Sequence, residues 1–141
     1  MNMAIRKQRL ALVVIALLTA TAHAAQTPAP PPAPNLTGTW LGKAIATKDG
    51  APGSEEGLYA VLQQVGADVT GTVGPSADRQ QDITKGKVTT TKDGTTVAFD
   101  TGRSGHVIHF ELKLIDSKLK GAVKDETYPE TKITLELQRA K

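Results

Sequence analysis

Most of the chain follows an alternating pattern of apolar and polar positions. From Leu36 onward, short segments rich in Val, Ile and Thr alternate with period two and are separated by turns of Gly, Asp and Lys. Period two is typical of β-strands with one buried face, and no segment shows the helical period of about 3.6 residues. The pattern predicts strands at 38–46, 58–65, 69–73, 83–91, 95–101, 106–115, 119–124 and 132–138.

The connections between these predicted strands are short. The segments 66–68, 92–94 and 116–117 contain Gly, Asp or Ser, and each is short enough to join two antiparallel neighbours as a hairpin. Strands joined in chain order by hairpins form an up-and-down meander.

Three glycines recur at matching positions of the pattern. Gly38, Gly71 and Gly121 each stand at the centre of an apolar-x-Gly-x-apolar segment, on the apolar face of a predicted strand. Glycine weakens a strand at such a position unless the strand bends tightly or a neighbour comes close. Small barrels need such bends in order to close. We therefore predict an all-β fold, a small antiparallel up-and-down β-barrel of about eight strands.

The N-terminal part of the chain has the three regions of a secretory signal peptide. Basic residues at 6, 7 and 9 precede the apolar run 10–18, and Ala22-His23-Ala24 matches the A-x-A cleavage pattern. The apolar run is shorter than the roughly 20 residues of a membrane-spanning helix. We expect residues 1–24 to be cleaved, residues 25–35 to form a disordered Pro/Ala-rich linker, and residues 36–141 to form one domain.

Export changes what the charge balance indicates. The chain has 17 basic and 14 acidic residues, and Arg6, Lys7 and Arg9 leave with the leader. The remaining charges balance, so we expect no nucleic-acid partner. We expect a soluble periplasmic or secreted protein without stable membrane insertion after cleavage. Because the chain has no cysteine, apolar burial must stabilise the domain without disulfides.

Two segments carry a family resemblance. The segment 36–40, Leu-Thr-Gly-Thr-Trp, together with 66–72 resembles the first hairpins of the avidin family, and Gly38-x-Trp40 is similar to the first-strand motif of the lipocalins. Both families are calycin-like barrels, and uncharacterised exported bacterial modules also carry the Gly-x-Trp motif. The resemblance implies an eight-stranded barrel in which Trp40 closes one end and Arg139 of the last strand packs across the indole.

Biotin binding does not follow from this resemblance. Avidins have an asparagine where this chain has Gly42 and a ligand-contacting tyrosine where it has Val73. Avidins also stack several tryptophans on the ligand, whereas Trp40 is the only tryptophan here. The resemblance therefore supports the fold and leaves the ligand open.

The candidate site residues lie near the predicted ends of the barrel. His106 falls on the inner face with Phe110, near the barrel mouth, whereas His109 shares the outer face with Glu111. Two ligands from this outer face fall short of the about four that structural zinc takes, so we expect no metal and no cofactor. We take Trp40, His106 and Phe110 as candidate ligand-binding residues and expect no catalytic residue.

Three hypotheses for the function follow. The first is a non-enzymatic binding or interaction module, which holds a small apolar or amphipathic ligand in the barrel or binds a protein partner. The second is a carbohydrate-active hydrolase or accessory domain that uses acidic residues in loops, namely Glu55, Glu56, Asp125 and Glu126. The third is a purely structural interaction domain. The segment 58–62 is apolar on both faces, which also allows homo-oligomerisation.

Overall fold

The structure is a computed structural model that describes residues 27–29 and 32–141. The predicted leader, 1–24, lies outside the described residues, and so do residues 25, 26, 30 and 31 of the predicted linker. Residues 27–29 and 32–37 have no regular secondary structure. In the part of the chain that is described, no helix has the length and hydropathy needed to cross a membrane.

The domain is a closed barrel of eight antiparallel strands, which confirms the predicted fold. The strands are β1 (Gly38–Lys48), β2 (Ala51–Val65), β3 (Asp68–Ser76), β4 (Arg79–Thr91), β5 (Gly94–Arg103), β6 (His106–Ile115), β7 (Lys118–Asp125) and β8 (Lys132–Arg139). Each strand pairs with its neighbour in the chain, and β8 pairs with β1. Closure gives every strand two neighbours, although β2 pairs with β3 only from Tyr59 onward.

The predicted strands correspond one to one with the observed strands, and β2 differs most in extent. It begins at Ala51, where its first residues pair with the end of β1, as in Lys48 with Ala51 and Ile45 with Glu55. Residues 51 and 53–57 are exposed. This part of the hairpin therefore has no buried face, and the alternation of apolar and polar residues could not mark it.

The inward side chains form one core that is packed more completely at one end of the barrel than at the other. At the end where β1 begins, three buried side chains have no exposed surface, namely Leu36, Val97 and Leu119. At the opposite end, Leu58 and Ile108 are only partly buried. The buried apolar residues are Leu36, Trp40, Ala60, Leu62, Val69, Val73, Ile83, Val88, Val97, Phe99, Phe110, Leu112, Leu119, Val123, Leu135 and Leu137.

The glycines at 71 and 121 permit close contact between strands. A Cβ on Gly71 would lie 1.9 Å from the carbonyl oxygen of Val61, and one on Gly121 would lie 2.0 Å from that of Glu111. Gly71 also has a φ of 134°, which side chains disfavour. The group that excludes a side chain at both positions is thus the backbone of a neighbouring strand, rather than the packed interior.

Replacing either glycine with the smallest side chain is expected to destabilise the barrel. Gly71→Ala or Gly121→Ala should lower the free energy of unfolding by about 1–3 kcal/mol, because a strand must shift to relieve the clash. Gly102→Ala is the control, since its nearest atom would be at 3.4 Å, an ordinary contact. Urea unfolding measures the difference, and equal stability of all three variants would show that no close strand approach exists.

Candidate functional site

One end of the barrel is closed by the segment that precedes β1. Trp40 is 1% exposed, and its indole Nε1 donates a hydrogen bond of 2.9 Å to the carbonyl oxygen of Leu36. The amide of Leu36 in turn donates to Oε1 of Gln64 at 2.9 Å. The chain therefore folds over the end of the barrel and buries the largest aromatic side chain beneath it.

Arg139 covers the outer side of this plug. Its guanidinium carbon lies 4.6 Å from the centre of the Trp40 ring, within the range of a cation–π contact. The same guanidinium donates to the carbonyl oxygen of Asn35 at 2.7 Å and also to that of Thr37. The packing of Arg139 across the indole, which the family resemblance implied, is therefore present.

The other end of the barrel has an open cavity of about 230 Å³, which we call the mouth pocket. It is lined by Ala44, Glu56, Gly57, Leu58, Val73, Gly74, Pro75, Gln81, Thr101, Ile108 and Phe110. Most of these residues are apolar and a few are polar, as is typical of small-molecule sites. The cavity is slightly smaller than the usual range of about 300–1,000 Å³ for such sites, which favours a small ligand.

Phe110 forms part of the wall of the mouth pocket and stacks on a second aromatic ring. Phe99 of β5 and Phe110 of β6 are stacked, with ring centroids 4.7 Å apart and planes 16° apart. Phe99 is 2% exposed and lies behind Phe110, which lines the cavity. Because cross-strand packing fixes both rings, the wall is formed before any ligand arrives.

A polar pair lies in the same pocket. The side chain of Thr101 is almost fully buried, and its Oγ1 lies 2.9 Å from Oε1 of Gln81. Gln81 is half-buried at the start of β4, opposite the buried Val73 of β3. The pair therefore places a side-chain amide at an opening whose other lining residues, apart from Glu56, are apolar.

The structure brings two of the three sequence-predicted site residues to the open end. Phe110 lines the mouth pocket, and His106 is exposed beside an adjacent depression of about 320 Å³. Ile108 lines both cavities. Trp40 lies at the closed end, away from both. The alternating pattern did not indicate Gln81, because the predicted strand began two residues later. The available signal was a polar residue two places before Ile83, on the same inward face.

His109 makes different contacts from those expected at the outer face. The sequence placed it beside Glu111, but its Nδ1 lies 2.6 Å from Oδ1 of Asp100 and its Nε2 lies 2.8 Å from Oε1 of Glu126. Lys85 is also near, with Nζ 3.5 Å from the second oxygen of Asp100. A neutral imidazole has a single N–H, so only the protonated ring donates to both carboxylates. Hydrogen bonds to Glu126 and then to Asp100 raise the pKa of His109 above 6.5.

These contacts connect the barrel wall to the loop between β7 and β8. Glu126 lies in that loop, and its backbone N–H donates to the carbonyl oxygen of Val107 at 3.3 Å. The ring of His106 contacts the hydroxyl of Thr127 in the same loop. Both histidines of β6 therefore hold this loop beside the open end. Among residues 27–29 and 32–141, no group of three or more His, Asp or Glu side chains could hold a metal ion.

The acidic residues that the sequence placed in loops lie mostly in strands, since Glu55 and Glu56 belong to β2 and Asp125 ends β7. Three of these four carboxylates contact other residues of the domain. Glu55 forms an ion pair of 2.5 Å with Lys43, and Glu126 contacts His109. Asp125 accepts a hydrogen bond of 2.8 Å from the amide of Thr127, which stabilises the turn. The fourth, Glu56, is exposed and lines the mouth pocket.

No protein-family model matches this chain, and a search of curated proteins finds no match. Function is therefore inferred from the geometry of the two barrel ends.

The emission of the single tryptophan is expected to report the closed end. Because Trp40 is buried and its indole N–H is bonded within the protein, the native emission maximum should be strongly blue-shifted, and iodide should quench it weakly. Unfolding in urea provides the reference for an exposed indole. A native maximum equal to that of the unfolded chain would show that no plug exists.

Stability is expected to depend on pH through His109. The pKa of His109 is raised in the folded state, so the protonated ring stabilises the folded protein. This contribution to stability is complete below the unfolded-state pKa near 6.5 and is lost as the pH rises through the folded-state pKa. Wild-type protein should therefore exceed His109→Gln in Tm at pH 5.5, and the difference should shrink by pH 9. His106→Gln is the control, since that ring contacts a hydroxyl. A wild-type advantage that grows with pH would contradict the assignment.

Proposed function

We propose that this protein is a non-enzymatic binding module that holds a small amphipathic ligand in the mouth pocket. The observation that carries the proposal is the difference between the two ends of the barrel. Leu36, Trp40 and Arg139 seal one end, whereas the other has a cavity of about 230 Å³ with an aromatic wall. Eight-stranded barrels are either filled by side chains or hold one small ligand, and the open end would be the entry for a ligand here.

The lining of the mouth pocket suits an apolar body. Leu58 and Ile108 are only partly buried, and both line the cavity beside Phe110. A ligand seated there would remove this apolar surface from water, which contributes about 25 cal/mol for each Å² buried. The polar Gln81 and the exposed Glu56 in the same lining would orient the ligand.

We further propose that the domain is calycin-like and acts after export, in the periplasm or outside the cell. The eight-stranded closed meander supports the first part, together with the Trp40–Arg139 contact and the resemblance of the segments 36–40 and 66–72 to the avidin and lipocalin families. The signal-peptide pattern of residues 1–24 supports the second.

The contacts of Glu55, Asp125 and Glu126 favour binding over hydrolysis. A glycosidase needs two carboxyl groups that face each other across a substrate. Here Glu55 and Glu126 are paired with basic side chains and Asp125 is engaged in a turn, so these three groups already have partners. Hydrolase or accessory activity on carbohydrate stays the alternative, with Glu56 as its carboxylate at the mouth.

A different surface supports the hypothesis that the domain binds a protein partner or a second copy of this chain. Leu41, Ile45 and Val61 point outward from β1 and β2 and are 39%, 42% and 37% exposed. Tyr59 pairs with Leu41 on the same face and is half-buried. Apolar side chains gathered on an outer face are typical of interaction surfaces.

Filling the mouth pocket tests the proposed function. Wild-type protein should bind the neutral fluorophore N-phenyl-1-naphthylamine saturably, with enhanced emission. Ala44→Leu adds bulk to the pocket lining and should weaken binding by about fivefold or more, whereas Ala122→Leu makes the same change on the exposed outer face of β7 and should alter it little.

Two outcomes would contradict the proposal. One is the absence of saturable binding by the wild-type protein. The other is an equal loss of affinity in the two leucine variants while both retain the circular dichroism of the wild type, which would place the fluorophore elsewhere on the barrel.

A further inference from the structure

The side-chain amide of Gln81 lines the mouth pocket, and a hydrogen bond with the buried Thr101 sets its orientation. Thr101 is 3% exposed, so its hydroxyl is removed from water, and the hydrogen bond it makes within the described part of the chain is to Gln81. A buried hydroxyl left without an acceptor costs about 1–3 kcal/mol. Thr101 therefore donates to Oε1 of Gln81, and the opposite orientation of the amide would leave that hydroxyl hydrogen unpaired.

This orientation leaves the nitrogen of Gln81 as a donor for the pocket. Gln81 is half-buried and lines the cavity. Its Nε2 has no hydrogen-bond partner among the residues described, and it is not one of the side-chain atoms shut off from solvent. Gln81 lines two cavities, the mouth pocket and a neighbouring depression beside Lys85 and Asp100, and the nitrogen is accessible from this side of the barrel. An amide nitrogen donates hydrogen bonds and does not accept them.

The charge beside the pocket limits which acceptor fits. Glu56 is exposed on the rim and presents its carboxylate to the opening. A carboxylate on the ligand would be repelled by this like charge, whereas a neutral carbonyl oxygen would not. Ketones, amides, esters and lactones share that neutral acceptor.

We propose that the ligand of the mouth pocket is a neutral carbonyl compound, whose oxygen accepts a hydrogen bond from Nε2 of Gln81 while its apolar body contacts Leu58, Ile108 and Phe110. The inference rests on the proposed function, since it names the ligand class of the same site. Phe110, which is held by stacking on Phe99, gives this site an aromatic lining, which suits an aromatic ring on the carbonyl compound.

A pair of isosteric probes separates the carbonyl from the rest of the molecule. Acetophenone and α-methylstyrene have the same shape, but the carbonyl oxygen of the first is a methylene group in the second. Both are titrated into ¹⁵N-labelled protein and followed by NMR. Acetophenone should shift the Gln81 side-chain amide signals downfield, and α-methylstyrene should leave them nearly in place.

Variants of Gln81 provide the second readout. Gln81→Glu keeps an acceptor for Thr101 and removes the N–H donor, so it should weaken acetophenone binding by about three- to tenfold and change α-methylstyrene binding less than about twofold. Gln81→Met removes the donor without adding a charge and should produce the same selective loss. Gln63→Glu, on the exposed outer face of β2, is the control and should affect neither probe.

The outcomes distinguish the two proposals. If both probes bind and the two Gln81 variants weaken them equally, or weaken neither, the carbonyl inference is wrong and the binding function stands. If the wild-type protein binds neither probe and also fails to bind the fluorophore, the proposed function fails and the inference fails with it.

Discussion

Pairing between the first and last strands is the constraint on which the rest of the structure depends. The seam joins β1 to β8 from Trp40 and Arg139 at one end to Thr47 and Lys132 at the other. Without cysteines, the protein has no covalent link to hold these distant parts of the chain together. Trp40 and Arg139, the first paired residues of this seam, also form the cation–π contact at the closed end. Closure of the sheet and sealing of one end are therefore coupled.

Closure also determines where a cavity can form. Near the plug the interior is filled by side chains, since Leu36, Val97 and Leu119 have no exposed surface. At the opposite end the inward side chains no longer cover one another, and the mouth pocket results. The binding hypothesis is thus a consequence of unequal packing along a single barrel.

The alternation of apolar and polar residues predicted the barrel because most strands have one buried face. β6 has the predicted bounds, His106–Ile115, since turns delimit it on both sides. The pattern did not predict strand residues where a segment has no buried face or has a polar residue on its inward face. The first half of β2 is exposed and is held only by pairing with β1, and Gln81 is a polar residue on an inward face.

The alternating pattern could not predict which side chains of different strands and loops contact each other. The sequence placed His109 and Glu111 on one outer face, but contact with Asp100 depends on the register of β5 against β6, and contact with Glu126 depends on the path of a loop. The same limit applies to the pair of Gln81 and Thr101, which are 20 residues apart in the chain. Periodicity assigns a residue to a face, whereas register decides its partner.

The most direct test of the unequal ends is an amide NMR spectrum recorded under increasing xenon pressure, because xenon enters apolar cavities without needing a polar contact. The account predicts progressive, saturable shifts at Ala44, Leu58, Thr101 and Phe110, with the indole N–H of Trp40 unchanged. Saturable shifts at the Trp40 indole, or a spectrum with no change at the open end, would contradict it.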